Sequence, residues 1–430
     1  MVWWILGAGF VVTAITGLPI GLGLALTGLA ILHFAVGNAA DLGVTAVWNV
    51  FTDFTLSAVP LFIFMGEIML VSGVSGRLYT AISPIFSRVP GKLLHTNIAV
   101  SALFGAVSGA STSTAAAVGS VAYPELEKRG YKPSAVVGTL AAGGTLGLLI
   151  PPSLSLLIYG ATQQVSIGQL FLAGLLPGIM LAFMMMCFIG LVLSKRPGVV
   201  PESGETPWSV GRALLHLLPV WPIGFLIFAV LGTIYLGLAT PTEAAGLGVG
   251  ASIILGFLWG ELTLRTLWKA FVDSVQVFVS IGVVMMGALI LAQSISILGL
   301  PLQVLSWIES MNLSPLAVLV AVSIFYLVLG CFFDGISLML MTLPIVFPVM
   351  TGVGYDPVWL GVIITILIEI GMLTPPVGMN LYVLSGITGN RVTLLQAAYA
   401  SLPFWLLLLL GVAILTVAPQ IALFLPNALY

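Results

Sequence analysis

Residues 147–153 read Gly-Leu-Leu-Ile-Pro-Pro-Ser, and residues 371–377 read Gly-Met-Leu-Thr-Pro-Pro-Val. Each stretch lies inside a long apolar run, 134–163 in the first case and 357–387 in the second. Each run is long enough to cross a bilayer, which takes about 20 residues. A proline has no backbone N–H and clashes with the preceding helical turn, so a Pro-Pro pair interrupts a helix. The two stretches therefore predict two discontinuous helices, with a simple proline kink as the alternative.

The two Pro-Pro stretches belong to longer segments that resemble each other. Seven residues recur at a constant separation of 224 residues. The matched pairs are Pro124 and Pro348, Gly130 and Gly354, Tyr131 and Tyr355, Pro133 and Pro357, Gly147 and Gly371, Pro151 and Pro375, and Pro152 and Pro376. A gapless match of this length predicts an internal duplication.

Each copy also contains a pair of apolar segments too short to span a membrane. The pairs are 94–108 with 112–124, and 314–331 with 335–350. Small or polar residues separate the two halves of each pair. Since a full crossing needs about 20 residues, this pattern predicts one re-entrant helical hairpin in each copy.

The whole chain has the composition of a membrane protein. Of its 430 residues, 60% are hydrophobic and 6% are charged, and the formal net charge is −2. About a quarter of the residues of a soluble protein are charged, so a soluble enzyme and a basic nucleic-acid-binding protein are excluded. Solid apolar runs exclude a transmembrane barrel, whose strands alternate in polarity. The sequence predicts an all-α polytopic membrane protein that contacts lipid and binds no nucleic acid.

The basic residues near the repeated Gly-Tyr indicate orientation. In the first copy Lys128, Arg129 and Lys132 surround this pair, whereas the second copy has no Lys or Arg from Pro348 to Trp359. The positive-inside rule places the first loop in the cytoplasm. The copies are then related by inversion across the membrane, which is typical of secondary transporters. An ion channel remains the alternative, since hairpins and broken helices also form pores.

The two predicted hairpin tips contain the polar groups that could bind ions. The first tip crowds four hydroxyls between Ser108 and Thr114. Hydroxyls and freed carbonyls suit a hard cation such as Na⁺, although small residues also serve close helix packing. Ser153, after the first Pro-Pro pair, is a candidate substrate contact.

Three acids interrupt the apolar runs. A carboxylate in mid-membrane costs about 2.5–3.5 kcal/mol on insertion scales, so Asp334 at the second tip is a candidate for ion or substrate binding. It also has the position of a helix cap before Gly335. Glu67 and Glu369 are expected to pair with a basic residue or to hydrogen-bond between helices.

The chain also carries long motifs. They are Ser108-Gly-Ala-Ser-Thr-Ser-Thr-Ala-Ala-Ala-Val-Gly-Ser, Pro124-Glu-Leu-Glu-Lys-Arg-Gly-Tyr, Gly144-Thr-Leu-Gly-Leu-Leu-Ile-Pro-Pro-Ser, Asp334-Gly-Ile and Leu373-Thr-Pro-Pro-Val-Gly-Met-Asn-Leu. With these motifs the chain resembles the large membrane subunit of TRAP transporters, the DctM family.

This resemblance implies an elevator-type, sodium-coupled secondary transporter for a small organic acid such as a dicarboxylate or a sialic acid. It also implies a bacterial or archaeal inner membrane, a periplasmic substrate-binding protein, and a small membrane subunit of the DctQ family, here expected as a separate polypeptide. The chain shows no paired aspartates, Ser–His pair or zinc motif of a membrane enzyme, so we expect neither enzymatic activity nor a cofactor. A stand-alone sodium symporter of the same fold is the alternative.

Carried over by position, the resemblance implies two sodium sites, with sodium as the only metal. The first uses Ser108, Ser111, Gly147, Ile150 and Pro152, and the second uses Gly330, Gly371, Thr374 and Val377. The substrate is expected between the tips, at Ser108, Ser153, Asp334 and Asn380.

The pattern also predicts a division of the chain. The expected transport-domain repeats are residues 93–194 and 313–391, and the expected scaffold segments are 1–92, beginning with a transmembrane helix, and 213–312. Residues 195–212, rich in proline and charge, are expected as a surface linker, and 392–430 as one C-terminal helix.

Overall fold

The computed structural model describes residues 2–201 and 218–430, and this part of the chain is helical, with no β-strand. The helices that precede the first repeat are α1 (Val2–Thr16), α2 (Ile20–Phe34), α3 (Ala40–Phe51), α4 (Ala58–Val71) and α5 (Val74–Phe86). The first repeat contains α6 (Leu93–Ser108), α7 (Ser111–Lys128), α8 (Pro133–Leu149), α9 (Leu154–Gln163) and α10 (Ile167–Leu191).

The second half follows the same order. Its first helices are α11 (Trp221–Ile227), continued through a π-helical turn into α12 (Thr233–Tyr235), then α13 (Pro241–Leu258), α14 (Leu264–Ile297) and α15 (Leu300–Ser310). The second repeat contains α16 (Pro315–Gly330), α17 (Gly335–Gly352), α18 (Pro357–Met372) and α19 (Met379–Ile387). The chain ends with α20 (Leu394–Val417) and α21 (Gln420–Leu429).

The helix boundaries follow the patterns in the sequence. The pairs α6/α7 and α16/α17 are hereafter hairpin 1 and hairpin 2, and α8/α9 and α18/α19 are broken helix 1 and broken helix 2. Both breaks lie at the Pro-Pro pairs, whose peptide bonds Pro151-Pro152 and Pro375-Pro376 are cis. Eight helical segments are long and apolar enough to cross a membrane, as expected for a multi-pass membrane protein.

The first halves of the broken helices form the centre of the core. Every residue from Ala135 to Leu149 and from Val358 to Met372 is buried. Both stretches are apolar nearly all round, and a helix of this kind needs neighbours on every side. Helix α8 contacts both helices of hairpin 1, and α18 contacts both helices of hairpin 2. The core therefore positions each hairpin against the broken helix of its own repeat.

The two broken helices run in opposite directions. Broken helix 1 begins beside Lys132, and far along it the Tyr159 hydroxyl donates to the carbonyl of Pro357, the first residue of broken helix 2. Beyond the other end of broken helix 2, Arg391 pairs with Glu127 at the base of hairpin 1. The two repeats are therefore antiparallel, as an inverted duplication requires.

The long helix α14 organises the flanking helices. It packs along α2, and the backbones meet at three glycines, Gly21, Gly28 and Gly287. A Cβ on Gly287 would lie 2.0 Å from the carbonyl oxygen of Gly21, so a side chain there would separate the two helices. Helix α14 also contacts α4 and α17, and therefore links the flanking helices to hairpin 2.

Three parts of the structure differ from the sequence-based expectations. Helices α1 and α2 have 15 residues each, about 22 Å at 1.5 Å per residue, so α1 is shorter than the expected transmembrane helix. The expected single C-terminal helix is wrong, because the chain breaks at Ala418 and Pro419 into α20 and α21. Short helices such as α3 and α15 have no counterpart in the predicted pattern.

The expected surface linker is only partly visible. Residues 195–201 lie against the first repeat, where Lys92 Nζ donates to the Pro201 carbonyl at 3.1 Å and Lys132 N donates to the Val199 carbonyl at 3.2 Å. The remainder of the linker, 202–212, lies outside the described residues. The division of the chain into scaffold and transport domains stays a prediction.

Candidate functional site

The tip of hairpin 1 meets the break of broken helix 1 through bare backbone. Helix α6 ends at Ser108, and Gly109 turns the chain with a φ of +64°. A Cβ on Gly105 would lie 2.6 Å from the Cα of Gly147. Leu154 N, just after the Pro-Pro pair, donates to the Gly109 carbonyl at 3.1 Å. The tip and the break are thus joined into one structural unit.

Oxygen atoms converge at this first junction. The hydroxyls of Ser108 and Thr114 are 2.6 Å apart, and Thr114 donates to the Ala110 carbonyl at 2.7 Å. A Cβ on Gly147 would lie 2.7 Å from Thr114 Oγ1. Thr114 is absent from the predicted sodium set, although the row of hydroxyls from Ser111 to Thr114 was a signal for it.

The first predicted sodium site is only partly assembled. Ser108 and Gly147 lie at the junction, and the Pro152 carbonyl oxygen would lie 3.0 Å from a Cβ on Gly109. The Ile150 side chain packs against Gly178 of α10. Ser111 faces another way, because its hydroxyl accepts a hydrogen bond from Asn380 Nδ2 at 2.8 Å.

The second junction repeats the backbone contact of the first. A Cβ on Gly330 would lie 2.8 Å from the Cα of Gly371, and Val377 N donates to the Cys331 carbonyl at 3.1 Å. The hydroxyl of Thr374 donates to the Ile370 carbonyl at 2.7 Å and accepts from Trp405 Nε1 at 2.9 Å. The structure therefore brings the second predicted sodium set together at one place, with Trp405 as a neighbour that no sequence signal indicated.

The two tips differ in length. Two residues separate the helices of hairpin 1, whereas four residues, 331–334, separate those of hairpin 2. As a result, the residue that touches Gly371 lies 225 positions after its counterpart Gly105, while the breaks keep the separation of 224. The duplication is therefore out of step by one residue at the tips.

Asp334 caps hairpin 2. Its Oδ2 accepts a hydrogen bond from Ser337 N at 3.0 Å, which satisfies one of the free donors at the start of α17. The side chain is only partly buried. The other three predicted substrate residues are enclosed in this structure, with exposures of 4% for Ser108, 2% for Ser153 and 0% for Asn380.

Ser153 forms a compact hydroxyl cluster at the first break. It caps α9 by accepting from Leu156 N and donates to the Leu148 carbonyl. Ser155 is 3.2 Å from both Ser153 and Thr365 of broken helix 2. In the described part of the chain no hydrogen bond connects Asp334 with Ser153 or Asn380, so the predicted substrate residues do not form one network in this conformation.

Two cavities follow the border between the repeats and the flanking helices. One, of about 190 Å³, lies between α1, α2 and the tip of hairpin 2, where Thr13, Thr27 and Phe333 line it. The second, of about 310 Å³, lies between α9, α14 and α17. Packing along this border is therefore looser than in the core.

The two other intramembrane acids lack the partners expected for them. Glu369 is fully buried, and neither carboxylate oxygen has a hydrogen-bond partner, so the expected hydrogen bond is wrong. Glu67 has no ion pair within 4 Å among the described residues, although Lys269 and Asp273 are close enough to act on its charge.

A polar contact at the basic end joins the two repeats. Glu127 Oε1 accepts from Arg391 Nη1 at 2.7 Å and from the Tyr123 hydroxyl at 3.1 Å. The hydrogen bond from Arg391 and the charge of Glu127 raise the pKa of the Arg391 guanidinium. Arg391 therefore keeps its charge at the end of broken helix 2.

The arrangement of paired tips and breaks has a counterpart among known proteins. The family described as "Tripartite ATP-independent periplasmic transporter, DctM component" matches residues 8–421. The chain belongs to the DctM family. Membership accounts for the antiparallel repeats and for the absence of enzymatic motifs, since DctM proteins are transporter components.

Individual DctM relatives resemble the chain over nearly its whole length. The chain is 34% identical to the C4-dicarboxylate TRAP transporter large permease protein DctM of Pseudomonas aeruginosa, over 93% of this chain and 92% of that protein. It is 30% identical to the sialic acid TRAP transporter large permease protein SiaM of Vibrio cholerae, over 96% and 95%.

A solved structure shares the fold at lower identity. The crystal structure of the Alcanivorax borkumensis YdaH transporter, described as having an unusual topology, superposes with a TM-score of 0.61. The sequences are 16% identical, and the match covers 91% of this chain and 90% of that one. The DctM chain therefore has the fold of a known membrane transporter.

Proposed function

We propose that this DctM-family chain is the large membrane subunit of a sodium-coupled secondary transporter that imports a small organic acid. The observation that carries the proposal is the pair of backbone junctions, Gly105 with Gly147 and Gly330 with Gly371. Each junction places a hairpin tip against a proline-interrupted helix, where carbonyls lack their usual N–H partners. Irregular backbone at membrane depth is tolerated where it lines an ion or substrate pathway.

Each junction supplies the oxygen ligands that a hard cation requires. At the first, Na⁺ binds Ser108 and the carbonyls of Gly147, Ile150 and Pro152, with Ser111 turned towards it and Thr114 as a further ligand. At the second, Na⁺ binds the carbonyls of Gly330, Gly371 and Val377 and the hydroxyl of Thr374. One lone pair of Thr374 remains for the ion after its bonds to Ile370 and Trp405.

The substrate binds between the two tips, near Ser108, Ser153, Asp334 and Asn380. The N-terminal ends of α7 and α17 offer N–H groups and the positive end of the helix dipole to an anion. The relatives named for a C4-dicarboxylate and for sialic acid support an organic acid as the substrate.

Transport proceeds by an elevator movement, in which the hairpins and broken helices move as one body against the flanking helices. Two features support this proposal. The cores of both repeats are fully buried, and the cavities lie along the border with α1, α2 and α14. A body that is well packed inside and loosely packed at its border can slide without unfolding.

The chain works with two partners in the bacterial or archaeal inner membrane. The family is tripartite and periplasmic by description, which supports a small membrane subunit of the DctQ family and a periplasmic substrate-binding protein. Lys92, Lys132 and Arg391 lie at one end of the structure and Asp356 at the other. By the positive-inside rule, the basic end faces the cytoplasm and the binding protein docks at the Asp356 end.

Transport should require a sodium gradient. In proteoliposomes that contain both membrane subunits and loaded binding protein, we expect uptake to stop when sodium is replaced by choline. Each net positive charge moved inward adds about 2.3 kcal/mol of driving force per 100 mV, so an inside-negative potential should accelerate uptake if more sodium charge than substrate charge enters. Full uptake driven by a proton gradient without sodium would contradict the proposal, and non-saturable flux would indicate a channel.

Transport should also require both partners. Large exposed apolar side chains, including Trp48 and Trp268, cover helices α3 and α14, and the small subunit shields part of this surface. We expect the isolated large subunit to bind to membranes but to show no uptake with binding protein alone. Uptake at the rate of the complete system without the small subunit, or without the binding protein, would identify a stand-alone symporter.

A further inference from the structure

A single polar bridge connects broken helix 2 with hairpin 1. Asn380 of α19 is fully buried, and its Nδ2 donates to the hydroxyl of Ser111 at 2.8 Å and to the Ala141 carbonyl at 3.3 Å. Ser111 is the first residue of α7, directly after the hairpin tip. The bridge therefore spans 269 positions of sequence and both repeats.

The duplication provides an internal comparison. At a separation of 224 residues, the counterparts of Asn380 and Ser111 are Leu156 and Gly335, which carry no polar side-chain group. The Leu156 side chain instead packs against Gly174 of α10. The same supersecondary unit thus forms without the polar bridge in the other copy, so the packing of the fold does not account for the bridge.

The amide of Asn380 has a further unexplained feature. Its Oδ1 is buried and has no hydrogen-bond partner. More than about 90% of buried polar groups in proteins are satisfied, and replacing Asn by an apolar residue would remove this cost. An unsatisfied acceptor here indicates that Asn380 is kept for its interactions with the tip of hairpin 1.

We propose that Asn380 is a positioning residue that couples the two sodium sites to each other. It holds the hydroxyl of Ser111 through one lone pair and leaves the other lone pair and the hydrogen free. It also lies four residues after Pro376 and three after Val377, within the segment that forms the second site. Ordering either site therefore orders the other through one hydrogen bond.

This inference rests on the proposed function, because it assumes that both junctions bind sodium. Coupling between two sites appears as cooperativity, and it is reciprocal. Loss of the bridge should therefore weaken sodium binding and reduce its cooperativity, while the affinity for substrate at saturating sodium stays unchanged.

The test is the sodium dependence of Asn380→Leu, which introduces the residue found at the equivalent position of the first repeat. In the complete three-component system we expect the sodium concentration for half-maximal uptake to rise by about tenfold, which is the upper range for one hydrogen bond. The Hill slope for sodium should fall to about 1. Ser111→Ala should produce the same two changes, and the double variant should be no worse than the more affected single variant.

Ser385→Ala is the matched control. Ser385 lies on the same helix and is also buried, but its hydroxyl donates to the Val392 carbonyl within its own repeat. We expect its sodium dependence to match that of the unmodified protein. If Asn380→Leu fails to accumulate in the membrane, Ser111→Ala supplies the same measurement from the opposite side of the bridge.

The outcomes separate this inference from the proposed function. Sodium-independent uptake by the unmodified protein overturns the proposed function. Sodium-dependent, cooperative uptake that keeps its half-saturation and Hill slope in Asn380→Leu and Ser111→Ala overturns the bridge alone. Equal losses of maximal rate in Asn380→Leu and Ser385→Ala, with unchanged sodium dependence, assign Asn380 a structural role and overturn it as well.

Discussion

We expect Asp334→Asn to lower sodium-driven uptake by about a hundredfold, the size of effect seen when one partner of a buried charge interaction is lost. Asp334 caps α17 through Ser337 N. Asparagine caps helices as well as aspartate does, so this variant keeps the cap and removes only the charge. Asp334→Ala should be at least as inactive. The measurement is uptake per unit of membrane-inserted protein, with purification yield as the check on folding.

Asp356→Asn is the matched control for this prediction. Asp356 caps α18 in the same way, with Oδ1 accepting from Val358 N at 2.8 Å and Trp359 N at 2.9 Å. It lies at the start of broken helix 2, away from the tips, and its side chain is exposed. We expect Asp356→Asn to transport normally. Normal transport by Asp334→Asn as well would mean that Asp334 serves as a cap alone.

The second large effect is expected from a single methyl group at either junction. A Cβ on Gly371 would lie 2.6 Å from the Cα of Gly330 and 2.9 Å from its carbonyl carbon and oxygen. These contacts are with backbone, which cannot rotate away, so Gly371→Ala must push the tip of hairpin 2 from the break. Overpacking costs about 1–3 kcal/mol, and at its upper end we expect uptake to fall by about a hundredfold.

Gly147→Ala tests the same contact in the first repeat. Its Cβ would lie 2.7 Å from Thr114 Oγ1 and 3.0 Å from the Ala110 carbonyl oxygen, so both oxygens must move. Gly386→Ala is the control, because this glycine lies in α19 of the second repeat and has open space where a Cβ would be. An alanine there should leave uptake intact and favour the helix by up to about 1 kcal/mol. Normal uptake by Gly371→Ala and Gly147→Ala would contradict the role of the close contacts.

The sequence alone determined the features that depend on local chemistry. The Pro-Pro pairs placed both breaks, because a missing N–H disrupts a helix wherever it occurs. The apolar runs placed both hairpins, and the separation of 224 residues indicated the duplication. The motifs around Ser108 and Asp334 indicated the family, which the match to residues 8–421 confirmed.

Only the tertiary structure decided which distant residues meet. Ser111 points to Asn380 instead of to Ser108, Thr374 accepts a hydrogen bond from Trp405, and Glu369 is buried without a partner. The one-residue slip between the tips also appears only when Gly105 and Gly330 are seen against their partners. Periodicity and composition report the environment of a residue along its own helix. The direction of a hydroxyl or an amide depends on helices packed from other parts of the chain, and no local pattern encodes that choice.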